Sequence, residues 1–390
     1  MNQRLNYIDK LLQGAEVQWK ALGEVAEIVR GVRVTKKDLL LDGKYPVVSG
    51  GTGYMGYINK YNREANTITI AQYGTAGYVK WQTEKFWAND VCFCLNPNIE
   101  IILNRYLYFY LMNKQQYLYD ISNRTAVPYS IERDKILKLQ IPIPPLKIQQ
   151  EIVRILDKFT ELTAELTAEL TAELTARKKQ YNYYREELLS FEDGDVEWKT
   201  LGEMSLKSYL GSTPRAGDSK YYNNGTIPWL RTQEVKFSDI ETTEINITEL
   251  AVKETAAKWI PVNCVIIAIS GATAGRSAIN KIPLTTNQHC LCLEINPQKA
   301  LYRYVFHWVS LNYKNLKSLG QGARGDLNSG IVKNYKIPIP PLSEQARIVA
   351  ILDKFDTLTT SISAGLPREI ALRQKQYAYY RNRLLDFNGE

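Results

Sequence analysis

A chain of 390 residues, 45% hydrophobic and 23% charged, is long enough for two or three domains with real cores, which excludes disorder as a whole. The formal charge of +8, with 26 Tyr and 7 Trp, suits a surface that meets phosphate, although charge alone fits a merely basic protein equally well. No apolar run reaches the roughly 18 residues a membrane span needs. The N-terminal segment lacks a signal-peptide core, and five cysteines in a chain this long are no disulfide framework, so a cytoplasmic, reducing setting is expected.

Taken in chain order, the runs Tyr45 to Val48, Thr67 to Ala71 and Val91 to Leu95 are short, apolar or alternating, and bounded by Gly, Asn and Pro, which predicts strands and turns. Arg105 to Met112 reads as one helix. Pro142, Pro144 and Pro145 forbid a helix until about Leu146. Beyond them Ile148, Ile152, Ile155, Leu156 and Phe159 form an apolar stripe at helical spacing, predicting a helix over roughly 147–190. The second half repeats this grammar: strands at Ile227 to Leu230, Val265 to Ile269 and Cys290 to Ile295, a helix at Leu301 to Trp308, and a helical segment over 343–387 with Ser343 as its N-cap. Gly365-Leu-Pro367 should break that segment.

The halves are copies of one plan. Val17-Gln-Trp-Lys-Ala-Leu-Gly-Glu24 returns as Val196-Glu-Trp-Lys-Thr-Leu-Gly-Glu203. Ile141-Pro-Ile-Pro-Pro-Leu146, Ile152 to Phe159 and Arg177 to Arg185 return at Ile337, Ile348 and Arg373, all at an offset of 196 residues. Thr75-Ala-Gly77, Asn89, Cys92 and Cys94 return as Thr273-Ala-Gly275, Asn287, Cys290 and Cys292 at an offset of 198. The expected architecture is α+β: two mixed α/β domains related by a pseudo-twofold repeat, each followed by a long conserved helical segment. Its segments are 1–145, 146–192, 193–341 and 342–390.

Within the first long helix, Thr163-Ala-Glu-Leu repeats without error through Leu174. Each cassette rises about 6 Å and overshoots one turn by about 40°. Leu162, Leu166, Leu170 and Leu174 therefore form one drifting ridge and Ala164, Ala168 and Ala172 another, both suited to a facing helix. The array reads either as coiled-coil filler or as a ruler whose cassettes change a separation in fixed steps.

Two divergent domains joined by IPIPPL, IVRILDKF, the TAEL array and RKKQYNYYREELLSF resemble the specificity subunit of a type I restriction-modification enzyme, close to the IC subclass, over the whole chain. Leu342-Ser-Glu-Gln345 carries the expected motif after IPIPPL cleanly; Leu146-Lys-Ile-Gln-Gln150 is a looser version. The resemblance implies a non-catalytic DNA-reading subunit, each variable domain reading half of a split double-stranded target, with the two long conserved helices packed antiparallel as a coiled-coil spacer between them. It implies two docked modification (methyltransferase) subunits and motor-nuclease restriction subunits, with S-adenosylmethionine, ATP and Mg2+ on those partners and no cofactor in this chain. An alternative is a specificity subunit or scaffold of another bipartite DNA-modification system without a nuclease. A coiled-coil scaffold whose heads bind proteins and an autonomous methyltransferase are further rivals.

The residues speak against chemistry in the chain itself. Asn96-Pro-Asn and Asn296-Pro-Gln lack the second proline of an adenine-methyltransferase motif, and no phosphate loop of the G-x-x-x-x-G-K-[ST] type occurs. Gly51-Thr-Gly-Tyr-Met-Gly56 fits a dinucleotide pattern, but no helix opening follows, so a turn is expected. Cys92, Cys94, Cys290 and Cys292 lie two apart in apolar contexts and read as core rather than zinc ligands. Of two histidines, His307 beside Trp308 reads as structural. Candidate DNA contacts are Arg33, Lys36, Lys37, Thr52, Tyr54, Gln72, Tyr73 and Lys80 in Gly-flanked loops, with Arg124 and Tyr129 before the spacer. In the second domain they are Arg215, Lys220, Tyr221, Arg231, Gln233, Ser270, Arg276 and Arg324. Leu162, Leu166, Leu170, Leu174, Ile152, Leu156, Ile348 and Leu352 are the candidates for spacer packing and subunit docking.

Overall fold

The computed structural model describes residues 7–192, 194–322, 325–361 and 364–387. Proline decides where the long helices begin. Pro145 cannot donate a backbone hydrogen bond, but its carbonyl accepts the N–H groups of Ile148 and Gln149 at 2.8 and 3.1 Å, and the uninterrupted helix Leu146–Leu188 starts there. Pro341 does the same for Glu344 and Gln345, opening the helix Leu342–Thr360. Ser343 thus lies inside the first turn and is not the N-cap expected of it. The expected break is present, and a second helix runs Leu366–Leu385. A Cβ on Gly365 would stand 2.4 Å from the Thr357 carbonyl oxygen, so only glycine lets the chain pass that close to the end of the preceding helix. Pro367 falls in the first turn of the new helix, where its missing N–H costs nothing.

The chain forms two units, 1–169 with 371–390, and 170–370. In the first, Gln18–Ala21 pairs antiparallel with Gln140–Ile143. The main sheet runs in the order Ala26–Arg30, Cys92–Pro97, Thr67–Ala71, Val79–Gln82, with all neighbours antiparallel. A small sheet places Tyr45–Val48 between Tyr54–Ile58 and Trp87–Ala88. The second unit repeats each part. Glu197–Thr200 pairs with Lys336–Ile339. Its main sheet runs Ser205–Leu210, Cys290–Ile295, Val265–Ala268, Ser277–Asn280 and gains a fifth, parallel strand, Asp239–Ile240. Ile227–Leu230 centres its small sheet. Asn89 and Asn287 tie small sheet to main sheet alike, their N–H groups donating to the Val48 and Leu230 carbonyls. The five cysteines are buried thiols in strand or adjacent core positions, where burial pushes Cys264 up to about 12 and Cys290 higher still.

The head helices Asn104–Asn113 and Tyr302–Leu311 pack on these sheets and are followed by short helices, Gln115–Asp120 and Tyr313–Ser318, that sequence pattern alone did not reveal. Within the first unit, Phe159 stacks on Tyr380 at 5.3 Å and the Thr160 and Tyr377 hydroxyls share a 2.9 Å hydrogen bond; Leu384 and Leu385 join Ile152 and Leu156 in one core. Positions rise on one helix as they fall on the other, so the pair is antiparallel. Within the second unit Tyr181 and Tyr184 stack on Phe355 and Leu189 joins Ile348 and Leu352, again antiparallel. The TAEL array is helical throughout. Leu166, Leu170 and Leu174 are half-buried, as are Thr163 and Thr167, while Leu162 is 47% exposed and Ala164, Ala168 and Ala172 face solvent. Among the described residues no helix is long and apolar enough to cross a membrane.

Candidate nucleic-acid interface

In the first unit the hairpin turn after Ala71 sits against the loop Gly50–Gly53. Thr75 donates both its N–H and its hydroxyl to the Gly50 carbonyl, at 2.8 and 2.7 Å. A Cβ on Gly50 would lie 2.2 Å from the Tyr73 carbonyl oxygen, so the loops meet only because this residue is glycine. The chain before the spacer closes the patch: Gly74 N–H donates to Tyr129 and Ile131 N–H to Gln72. These contacts bring seven sequence candidates together: Thr52, Tyr54, Gln72, Tyr73, Lys80, Arg124 and Tyr129. Lys80 Nζ reaches the Thr52 carbonyl at 3.4 Å and lies 4.3 Å from the centre of the Tyr54 ring. Gln72 Oε1 is buried and makes no hydrogen bond among the described residues, an acceptor that ordinarily finds a partner. The glycine-rich run feeds the strand Tyr54–Ile58, not a helix, so no dinucleotide loop forms.

Arg124 stands between two rings, 4.8 Å from the centre of Tyr119 and 5.0 Å from that of Tyr129, its Nε and Nη2 donating to the Tyr119 and Ala76 carbonyls. With Gly74, Thr75, Gln116 and Asp120 it lines an open hollow of about 650 Å3. Tyr119, Gln116 and Asp120 were missed in sequence because nothing marked the short helix they ride on. Arg33, Lys36 and Lys37 occupy an exposed neighbouring segment; Lys36 and Lys37 sit on a single turn, Lys36–Asp38, capped by Thr35.

In the second unit, Arg231 Nη2 pairs with Glu244 and its Nε lies 3.5 Å from Glu234, while Gln233 donates to the same Glu244 at 3.2 Å. Lys220 Nζ and the Tyr221 hydroxyl both reach Glu254, at 2.9 Å each; these hydrogen bonds hold the ammonium above and the carboxyl below their ordinary values. Arg215 and Arg276 have no side-chain partner among the described residues. Ser270 opens the turn Gly271–Thr273, where the Gly271 N–H donates to Asp326 Oδ1 at 2.9 Å. Gly275 repeats Gly77: both take positive φ, and their N–H groups close the turn on Ala268 and Ala71. Arg324 lies outside the described residues.

Of the candidates for spacer packing and subunit docking, Ile152 and Leu156 pack with Leu384 and Leu385, and Ile348 and Leu352 with Leu189, as spacer packing requires; their burial corrects only the docking part of the expectation. Ile152, Leu156, Ile348 and Leu352 are 0% exposed within the cores of their own units, so they anchor helix to head and present nothing to a docking subunit. His307 is buried too, its Nε2 2.7 Å from Asp353 Oδ1. Among the described residues no group of His, Cys, Asp and Glu has the makings of a metal site.

The type I restriction modification DNA specificity domain matches residues 15–176 and 194–372. A type I restriction enzyme specificity subunit of Escherichia coli is 38% identical, covering 98% of this chain and 97% of the relative; a second from the same organism is 30% identical over 92% of each. The fold is shared with the S subunit of a type I restriction-modification system from M. genitalium (TM-score 0.55, 17% identity, 96% of this chain and 97% of that one). It is also shared with a chain solved in work on complex assembly and conformational transition of the type I R-M system (TM-score 0.66, 15% identity, 97% and 99%). With two copies of the domain on one continuous helix, the chain belongs to the family of type I restriction-modification DNA specificity subunits.

Proposed function

We propose that each head reads one half of a bipartite DNA target, that the number of TAEL cassettes sets the gap between the halves, and that the chain performs no methyl transfer or cleavage itself. Two modification subunits dock on the repeated helical segments and supply the S-adenosylmethionine chemistry; motor-nuclease subunits, with ATP and Mg2+, complete the restriction complex. The observation that carries this reading is duplication down to single bonds. The same head, on the same antiparallel helix pair, is built twice in one chain, as two reading sites and two copies of one partner require. The first head's patch supports DNA as the ligand. Exposed Arg33, Lys36 and Lys37 offer phosphate contacts. Lys80, held over the Tyr54 ring beside the Gly50–Gly53 loop, is the group placed to read base edges.

Deleting Thr171 to Leu174 removes one cassette, about 6 Å of helix against about 3.4 Å per base pair. Mapping methylated sites in cells carrying the deletion and its partner subunits is expected to return the same two half-sites with the gap shortened by one or two base pairs. Unchanged spacing would defeat the ruler; altered half-site bases would defeat the division of labour between heads and helix.

A further inference from the structure

We propose that Gln149 and Gln345 are positioning residues that lock the angle and register of each head on its helix, and so set how strictly the gap between half-sites is enforced; this rests on the two-headed reading above. Both side chains are 0% exposed. Gln149 Oε1 accepts the Leu103 N–H at 2.9 Å, and its Nε2 donates to the Ile101 and Pro144 carbonyls at 3.0 and 2.9 Å. Gln345 repeats the pattern: Oε1 accepts the Leu301 N–H at 2.9 Å, and Nε2 donates to Lys299 at 3.4 Å and Pro340 at 2.9 Å. Each amide thus spends its acceptor and both donors on three backbone groups from two separate segments: the loop entering the head helix and the end of the proline strand. Gln150, next to the first, is exposed.

Other directional contacts cross the joint, but the Tyr106 and Tyr304 hydroxyls reach the Pro142 and Pro338 carbonyls, at 3.0 and 2.9 Å, and His307 Nε2 reaches Asp353 Oδ1, at 2.7 Å, each through a single bond. Ile152 and Leu156 in one unit, and Ile348 and Leu352 in the other, give apolar contact that tolerates sliding. The Arg105–Asp157 and Arg303–Asp353 pairs, at 2.7 and 2.6 Å, involve long side chains able to follow a shift. The amide needs an N–H on one side and two carbonyls on the other, three backbone bonds from one buried side chain at fixed distances. A carboxylate in its place accepts but does not donate, and a methionine donates nothing and accepts only weakly.

The test uses the complete chain assembled with its modification subunits, carrying Gln149→Met, Gln345→Met, Gln149→Glu or the control Gln150→Ala. Methylation rates are read on duplexes whose half-sites are constant and whose gap is varied by one base pair either way. Gln149→Met and Gln345→Met are expected to keep the half-site bases but raise the relative rate at wrong gaps by ten-fold or more, with Gln150→Ala unchanged. A uniform loss at every gap with the parental profile retained would reduce the glutamines to stability and overturn the proposal. A parent complex without a preferred gap would instead sink the two-headed reading. If the variants do not assemble, amide exchange of the parent decides: Leu103 and Leu301 are expected among the slowest, and exchange at loop rates overturns the lock.

Discussion

The two heads share a sheet order and a joint, yet dispose of their cations differently. In the first, Arg33, Lys36 and Lys37 have no carboxylate partner among the described residues, and Lys80 and Arg124 rest on tyrosine rings and carbonyl oxygens. In the second, Lys220 is held by Glu254 and Arg231 by Glu234 and Glu244, leaving Arg215 and Arg276 open. An unpaired cation meets a phosphate and releases counterions at no internal cost; a paired one must first give up its carboxylate. On the proposed reading, the first head grips DNA in a salt-sensitive way and the second makes contacts whose geometry is fixed before DNA arrives. The joints differ as well. Where the first unit sets Phe109 beside Arg105 and Asp157, the second sets buried His307 among Arg303, Asp353 and Asp356, with Asp239 adding a further bond to Arg303.

The largest effect should come from that joint. Asp353→Asn is expected to destabilise the second unit by about 2 kcal/mol, and Asp157→Asn the first by about 1, both discounted for partial exposure; thermal unfolding of the two variants compares them, and equal shifts would erase the distinction. Burial pushes the Asp353 carboxyl up, but hydrogen bonds from His307 and Arg303 outweigh it and hold it below its ordinary value. Its stabilisation is therefore complete above the unfolded value near ~4 and lost as pH falls through the lowered one. Asp356, raised by burial, works with the opposite sign, costing stability as pH rises through its own value. Acid melts of Asp353→Asn should accordingly be flatter below about pH 4 than those of the parent.

Next in size is grip. Replacing Arg33, Lys36 and Lys37 together by Ala is expected to weaken DNA binding by about ten-fold, about 1.4 kcal/mol, and to flatten the salt dependence by about two to three units of slope. Lys220→Ala should flatten it by less than about half a unit, because Glu254 already neutralises that charge. Titrations of the complex at several salt concentrations measure both, and a full unit lost with Lys220 would contradict the pairing. The smallest effect sharpens the contrast from the other side. Glu244→Ala leaves Arg231 with Glu234 alone and frees Gln233, and non-specific DNA is expected to bind about three-fold tighter with a steeper salt slope; no gain would mean that Glu244 does not restrain them.

Much of this was legible in residue order. Repeats at offsets of 196 and 198, the proline stop before Leu146, the TAEL helix and the buried cysteines all rest on patterns within a few residues or on the chain compared with itself. Helix ends were less so: Ser343 looked like a cap, but Pro341 had already supplied the accepting carbonyl. Ile152, Leu156, Ile348 and Leu352 were visible as an apolar stripe, but a stripe does not say whether it meets its own head or another subunit.

By itself the sequence determined that there are two heads, that conserved helices join them and that the TAEL run is helical, because periodicity and backbone chemistry act locally. Only the tertiary structure decided which cations stay open and which glutamine becomes a clamp. Glu244 and Glu254 reach Arg231 and Lys220 across 13 and 34 residues, and Gln149 reaches Leu103 across 46. Pairings of that length depend on where sheets and helices bring distant segments together, which no local pattern encodes.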